Sequence, residues 1–151
     1  MCCSIRRGRE ERDELKAQKE TPESIWKQLH EDLAYWKRQL RLDDLDITLR
    51  WMSPHERDDL DIGVHYPEPL CHRHIIAVRH PDHLSTFQKK EFSADYEVIL
   101  VHEVLHCREN RWKETQEMRE ALENELVQHN YEISLDAIAE ALVRARRGIT
   151  R

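Results

Sequence analysis

His102, Glu103 and His106 stand together in the run His102-Glu103-Val104-Leu105-His106. On a helix, a spacing of four places both imidazoles on one face, one turn apart, close enough to hold a single metal ion. Glu103 is turned about 100° around the helix from His102. From there its carboxylate reaches the edge of a metal site without being a ligand. Zinc lowers the pKa of a bound water towards neutrality, and a carboxylate so placed takes the proton during attack on a carbonyl. The pattern is the HExxH of metallopeptidases. It assigns His102 and His106 as ligands of Zn²⁺ and Glu103 as general base. The plain alternative is a solvated helix face, which ten histidines in one chain make easier to meet by chance. The flanking Val98-Ile99-Leu100-Val101, Val104 and Leu105 oppose it, because two histidines and a glutamate in an apolar segment are costly unless paired or metal-bound.

A zinc site of this kind needs a third protein ligand and an open fourth position. The candidates lie in the last helical segment. Glu132 is followed four residues on by Asp136, so the two carboxylates share a face. One can bind the metal while the other accepts a hydrogen bond from the far nitrogen of a ligating histidine. Glu132 is the leading ligand and Asp136 its supporting partner. Glu125, paired with His129, is the rival, and Glu123 trails.

The elements that must position these residues read as follows. Residues 1–20 interleave arginines with acidic residues and have no apolar periodicity, which predicts a flexible charged arm outside a single domain over 21–151. Thr21-Pro22 starts a helix to about 41, with Ile25, Trp26, Leu29, Leu33, Trp36 and Leu40 at helical spacing. Asp46–Met52 alternates as a strand and Ser53-Pro54 ends it. Residues 55–70 are loop-like, with a short strand near Ile62–Tyr66. His74–Arg79 is a further strand, and 82–93 is irregular. Ser93 caps the active-site helix, about 94–109. From Glu114 to Arg147 there is no Pro or Gly, so the segment is helical, in two pieces breaking near His129–Tyr131. Trp26, Trp36 and Trp51 belong to the core, and Trp112 to a surface near the site.

The two motifs, His102-Glu103-Val104-Leu105-His106 and Glu132-Ile133-Ser134-Leu135-Asp136, together resemble the gluzincin pattern of HExxH followed by Glu-x-x-x-Asp on a later helix. The arrangement is similar to the minigluzincins. It also resembles small zincin-like metallopeptidases encoded by bacteriophages. In those, a Tyr-x-x-x-Leu-Val-His-Glu-type helix precedes one ending like Ile138-Ala139-Glu140-Ala141-Leu142-Val143. The resemblance covers residues 24–146. It implies a zincin-like α+β fold: a small mixed sheet packed on the active-site helix, an N-terminal helix and a C-terminal ligand-bearing helix. It also implies that His74–Arg79 is the edge strand that pairs with an extended peptide. Larger gluzincins use a Tyr or His to stabilise the oxyanion. Nothing after Asp136 can do so, which leaves Tyr66, His74, His129 and Tyr131 as candidates.

Other features are weaker. Cys71-His72-Arg73-His74, with His80 and His83 nearby, has no known structural-site spacing and reads as exposed loop histidines. Cys107 reads as a small buried hydrophobe. The four cysteines form no CxxC pair and follow no secretory segment, so a reducing, cytoplasmic setting is expected. No apolar run suits a membrane span. A formal charge of −6 argues against nucleic acid despite arginine clusters at both ends. The expected partner is a peptide or protein substrate, hydrolysed at a peptide bond. The competing reading is a non-catalytic protein that keeps the fold for metal binding or interaction.

Overall fold

Thr21 opens the first helix, α1 (Pro22–Gln39), with its hydroxyl oxygen accepting from the Ser24 amide at 3.2 Å. Ile25, Leu29, Leu33 and Trp36 form its buried stripe. The helix stops two residues short of the expected end, and Arg41 takes a positive φ of 56° as the chain turns. The computed structural model describes residues 21–56, 62–68, 73–85, 95–109 and 125–149. The arm at 1–20, Cys71, His72, Ser93, Trp112 and Glu123 lie outside the described residues.

Three strands follow: β1 (Asp46–Met52), β2 (Gly63–Glu68) and β3 (Arg73–Arg79). They form a mixed sheet in the order β1-β3-β2, with β1 parallel and β2 antiparallel to β3. This corrects the expectation that His74–Arg79 is the edge strand: it lies in the middle. The physical reason is its apolar run, since Ile76, Ala77 and Val78 are wholly buried, as suits a strand flanked on both sides. The outer positions fall to β1 and β2, and β2 tolerates Pro67 because an outer strand can do without one ladder donor.

After a 3₁₀ turn at Pro81–His83 come α2 (Tyr96–Glu109) and α3 (Glu125–Arg146). The cap of α2 is Asp95, whose Oδ1 accepts from the amides of Glu97 and Val98. Helix α3 runs unbroken through His129–Tyr131, where a break was expected. Without Pro or Gly nothing forces one, and the Ser134 hydroxyl meets its hydrogen-bonding need within the helix by donating to the Asn130 carbonyl at 2.8 Å.

Helix α2 is the centre of the molecule. On one side Leu100, Val104 and Cys107 pack against Ile25, Leu29 and Leu33 of α1 and Ile47, Leu49, Ile76 and Val78 of the sheet. On the other, Val101 and Leu105 pack against Leu135, Ala139 and Val143 of α3, with Trp36 of α1 closing the cluster. The described residues are thus α+β, three helices and a small mixed sheet. Among the described residues no helix is long and apolar enough to cross a membrane.

Candidate metal centre

The packing between α2 and α3 decides which residues can meet. The helices run antiparallel. Val101 and Leu105 against Leu135 and Ala139 bring the face of His102 and His106 alongside that of Glu132 and Asp136. Ion pairs fix the far end. Arg146 reaches Glu97 and also Asp32 of α1, at 2.6 Å for the latter, and Arg147 reaches both Asp95 and Glu97. Glu97 also accepts from Trp36 Nε1 at 3.1 Å. Asp32 and Glu97 are nearly buried, so these guanidinium groups offset what would otherwise be costly charges.

At the near end, three donor atoms converge. His102 Nε2 lies 3.1 Å from His106 Nε2, and Glu132 Oε2 lies 3.2 Å from the first and 3.3 Å from the second. A tetrahedral ion with bonds of about 2.0–2.1 Å holds its ligand atoms about 3.3 Å apart. The triangle therefore has the edge that a zinc-sized ion requires. Two imidazole nitrogens and one carboxylate oxygen are a zinc-type donor set and leave a fourth position open. The rival Glu125 is seven residues earlier on α3, about 10 Å along the axis.

Asp136 Oδ1 lies 2.8 Å from His102 Nδ1. If that nitrogen carries the proton, the neutral ring presents a lone pair at Nε2, the tautomer a metal ligand needs. The charges around His102 are strong. Burial pulls its pKa down, but the hydrogen bond to Glu132 and the charges of Glu103, Asp136 and Glu132 outweigh it and push the imidazole up to about 9. Hydrogen bonds from His102 and His106 outweigh burial at Glu132 and hold it well below the usual carboxylate range.

Glu103 is buried and is not one of the converging donors. Its side chain packs between α2 and β2, against Gly63. A Cβ at Gly63 would lie 2.7 Å from Ile99 Cγ2 and 2.8 Å from Glu103 Oε1. The absence of a side chain there is what lets the strand come this close to the helix.

The residues considered for an oxyanion role are dispersed. Tyr66 donates to Glu56 Oε1 at 2.8 Å, in a cluster where Arg50 and Glu56 are also paired. His129 is exposed on α3. The Tyr131 ring lies 5.9 Å from that of His106. His74 Nδ1 lies 2.8 Å from His65 Nε2, and the His65 ring is parallel to that of His106 within 7°, at 6.2 Å. Sequence reasoning missed His65. The signal was there: a strand through residues 62–66 places Gly63 and His65 on one face. Cys107 is fully buried, and burial, followed by the Glu103 charge, pushes its thiol up to about 12. Comparison of the chain with protein-family models, with curated proteins and with solved structures gives no match.

Proposed function

We propose that the protein is a zinc-dependent peptide hydrolase of the zincin type, with His102, His106 and Glu132 as ligands and Glu103 as general base. The observation that carries the reading is the triangle of donor atoms with edges of 3.1–3.3 Å, built from two helices and braced by Asp136. When bound, zinc supplies an acidified water and a polarised carbonyl. The chain's own residues do the rest. Asp136 holds the His102 ring in the ligating orientation. Glu103 takes the proton from the attacking water and passes it to the nitrogen of the breaking amide bond, so one water yields one carboxyl and one amine terminus. Burial of Glu103 keeps bulk water from competing for that proton.

The substrate is an extended peptide that adds to β2 as a further strand, because β2 is the outer strand on the side where Gly63 meets Glu103. The test is metal analysis of the purified protein with cleavage of casein and a peptide library. Wild type should hold one zinc at this centre and cleave. Glu103→Gln should keep the zinc while turnover falls by roughly 10²–10⁴-fold. His102→Ala should lose both. Wild type that holds zinc but cleaves nothing across the library would instead favour a non-catalytic metal-binding protein.

A further inference from the structure

Behind the first centre lies a second group of donors that the proposed reaction does not use. His65 comes from β2, His74 from β3 and Cys107 from α2. In the ladder, His65 is opposite Ile76 and His74 is opposite Pro67, so the two histidines are diagonal neighbours on one face of the sheet. It is the face that meets α2, since Gly63, two residues along β2 from His65, abuts Glu103. The imidazoles are stacked, with centroids 5.0 Å apart and planes 22° apart, and His65 Nε2 lies 2.8 Å from His74 Nδ1. One donor atom from each of His65, His74 and Cys107 lies within 4.8 Å of the other two. His74 and Cys107 are buried, and His65 is half-buried.

We propose that His65, His74 and Cys107 form a second cation site, separate from the His102/His106/Glu132 centre, that takes a zinc-class ion. Two nitrogens and a sulfur select a borderline-soft cation over magnesium or calcium, which prefer oxygen. Zinc bonds of about 2.0–2.1 Å to nitrogen and about 2.3 Å to sulfur need donor atoms roughly 3.3–3.6 Å apart. The histidine nitrogens, 2.8 Å apart, need to open by about half an ångström, and the sulfur, within 4.8 Å of both, closes to bonding distance by side-chain rotation. Glu103, one turn before Cys107 on α2, adds negative charge that favours a cation here. On binding, the sulfur–hydrogen bond of Cys107 is replaced by a sulfur–zinc bond and the proton leaves to solvent. The ion would tie the outer strand β2 to α2, and so fix the strand beside the first centre. Without an ion, the same groups form a histidine–histidine hydrogen bond and a thiol donating to the Glu103 carbonyl at 3.5 Å.

The two donor sets share no residue, and only the second contains sulfur. Cobalt(II) titration of the full metal-free chain therefore separates them, because a thiolate ligand gives a near-ultraviolet charge-transfer band that His102, His106 and Glu132 cannot give. Wild type should bind two equivalents and show the band. Cys107→Ala should bind one equivalent without the band. The His102→Ala, His106→Ala double variant should keep the band with one equivalent, whether or not the protein is a peptidase. If Cys107→Ala does not fold, as judged by circular dichroism, His65→Ala on the outer strand decides: it should lose the band. Wild type without the band overturns the site. So does a band that survives Cys107→Ala or His65→Ala, since that would assign it to another cysteine or another ligand set.

Discussion

Gly63 and Glu103 leave no room for a methyl group between them: a Cβ at Gly63 would sit 2.8 Å from the Glu103 carboxylate oxygen. Gly63→Ala should therefore displace the Glu103 carboxylate, the proposed general base, while leaving the proposed zinc ligands His102, His106 and Glu132 in place. The overpacking should cost about 1–3 kcal/mol of stability. Turnover should fall by roughly 10²-fold, the usual effect of a displacement of about 1 Å. Zinc content measured beside the peptidase rate checks this. Unchanged turnover would mean that Glu103 does not need its observed position.

Asp136 is two-thirds exposed and touches the centre through His102 Nδ1. Asp136→Ala should weaken zinc binding about 10–100-fold with little effect on folding. Competition against a chelator of known affinity reads this directly. An unchanged zinc affinity would remove Asp136 from the site.

The metal-free centre should show its own pH dependence. The His102 imidazole is raised from 6.5 to about 9. A raised pKa contributes stability that is complete below about pH 6.5 and is lost as the pH rises through about 9. Chelated protein should accordingly become less stable across that window. Zinc must displace the same proton, so its apparent affinity should rise by about tenfold per pH unit up to about 9. Thermal melts across this range, with and without zinc, should diverge. Parallel curves would show that His102 is not part of the linkage.

Arg146 neutralises two nearly buried carboxylates, Asp32 and Glu97, and its guanidinium lies 4.1 Å from the Tyr35 ring centroid. Removing it takes the paired cation from the buried Asp32, while Glu97 keeps its pair with Arg147. Arg146→Ala should destabilise the protein by roughly 3–5 kcal/mol, seen in a denaturant midpoint. A change within ±0.5 kcal/mol, as for an ordinary surface site, would show that water replaces the guanidinium without cost.

The sequence was legible where one periodicity dominated. Asp46–Met52 alternates cleanly, and the structure has that strand with the same ends. His102 and His106 are tied to each other by helix geometry alone, so their proximity followed from spacing. Glu132 and Asp136 could be placed on one face but not against the histidines, because that depends on the packing of Leu135 and Ala139 on Val101 and Leu105. The strand order was not legible. The apolar run Ile75–Val78 points to a strand covered on both sides, but which strands flank it, and in which direction, is not written in the run itself. For His65 the strand gave its face, shared with Gly63, but not its partners: His74 and Cys107 come from other elements and meet it only in three dimensions.

Glu132 lies fourteen residues before Arg146 on one unbroken helix, a span of about 21 Å. The ion pairs at the far end and the apolar contacts of Leu135, Ala139 and Val143 hold that rod in place before any cation arrives. The third donor is thus kept at a high effective concentration beside the two imidazoles. A carboxylate on a loop would surrender chain freedom at every binding event, whereas Glu132 surrendered its freedom once, during folding. Capture of an ion at the proposed centre then needs no chain closure, and its rate should follow how fast the ion sheds water.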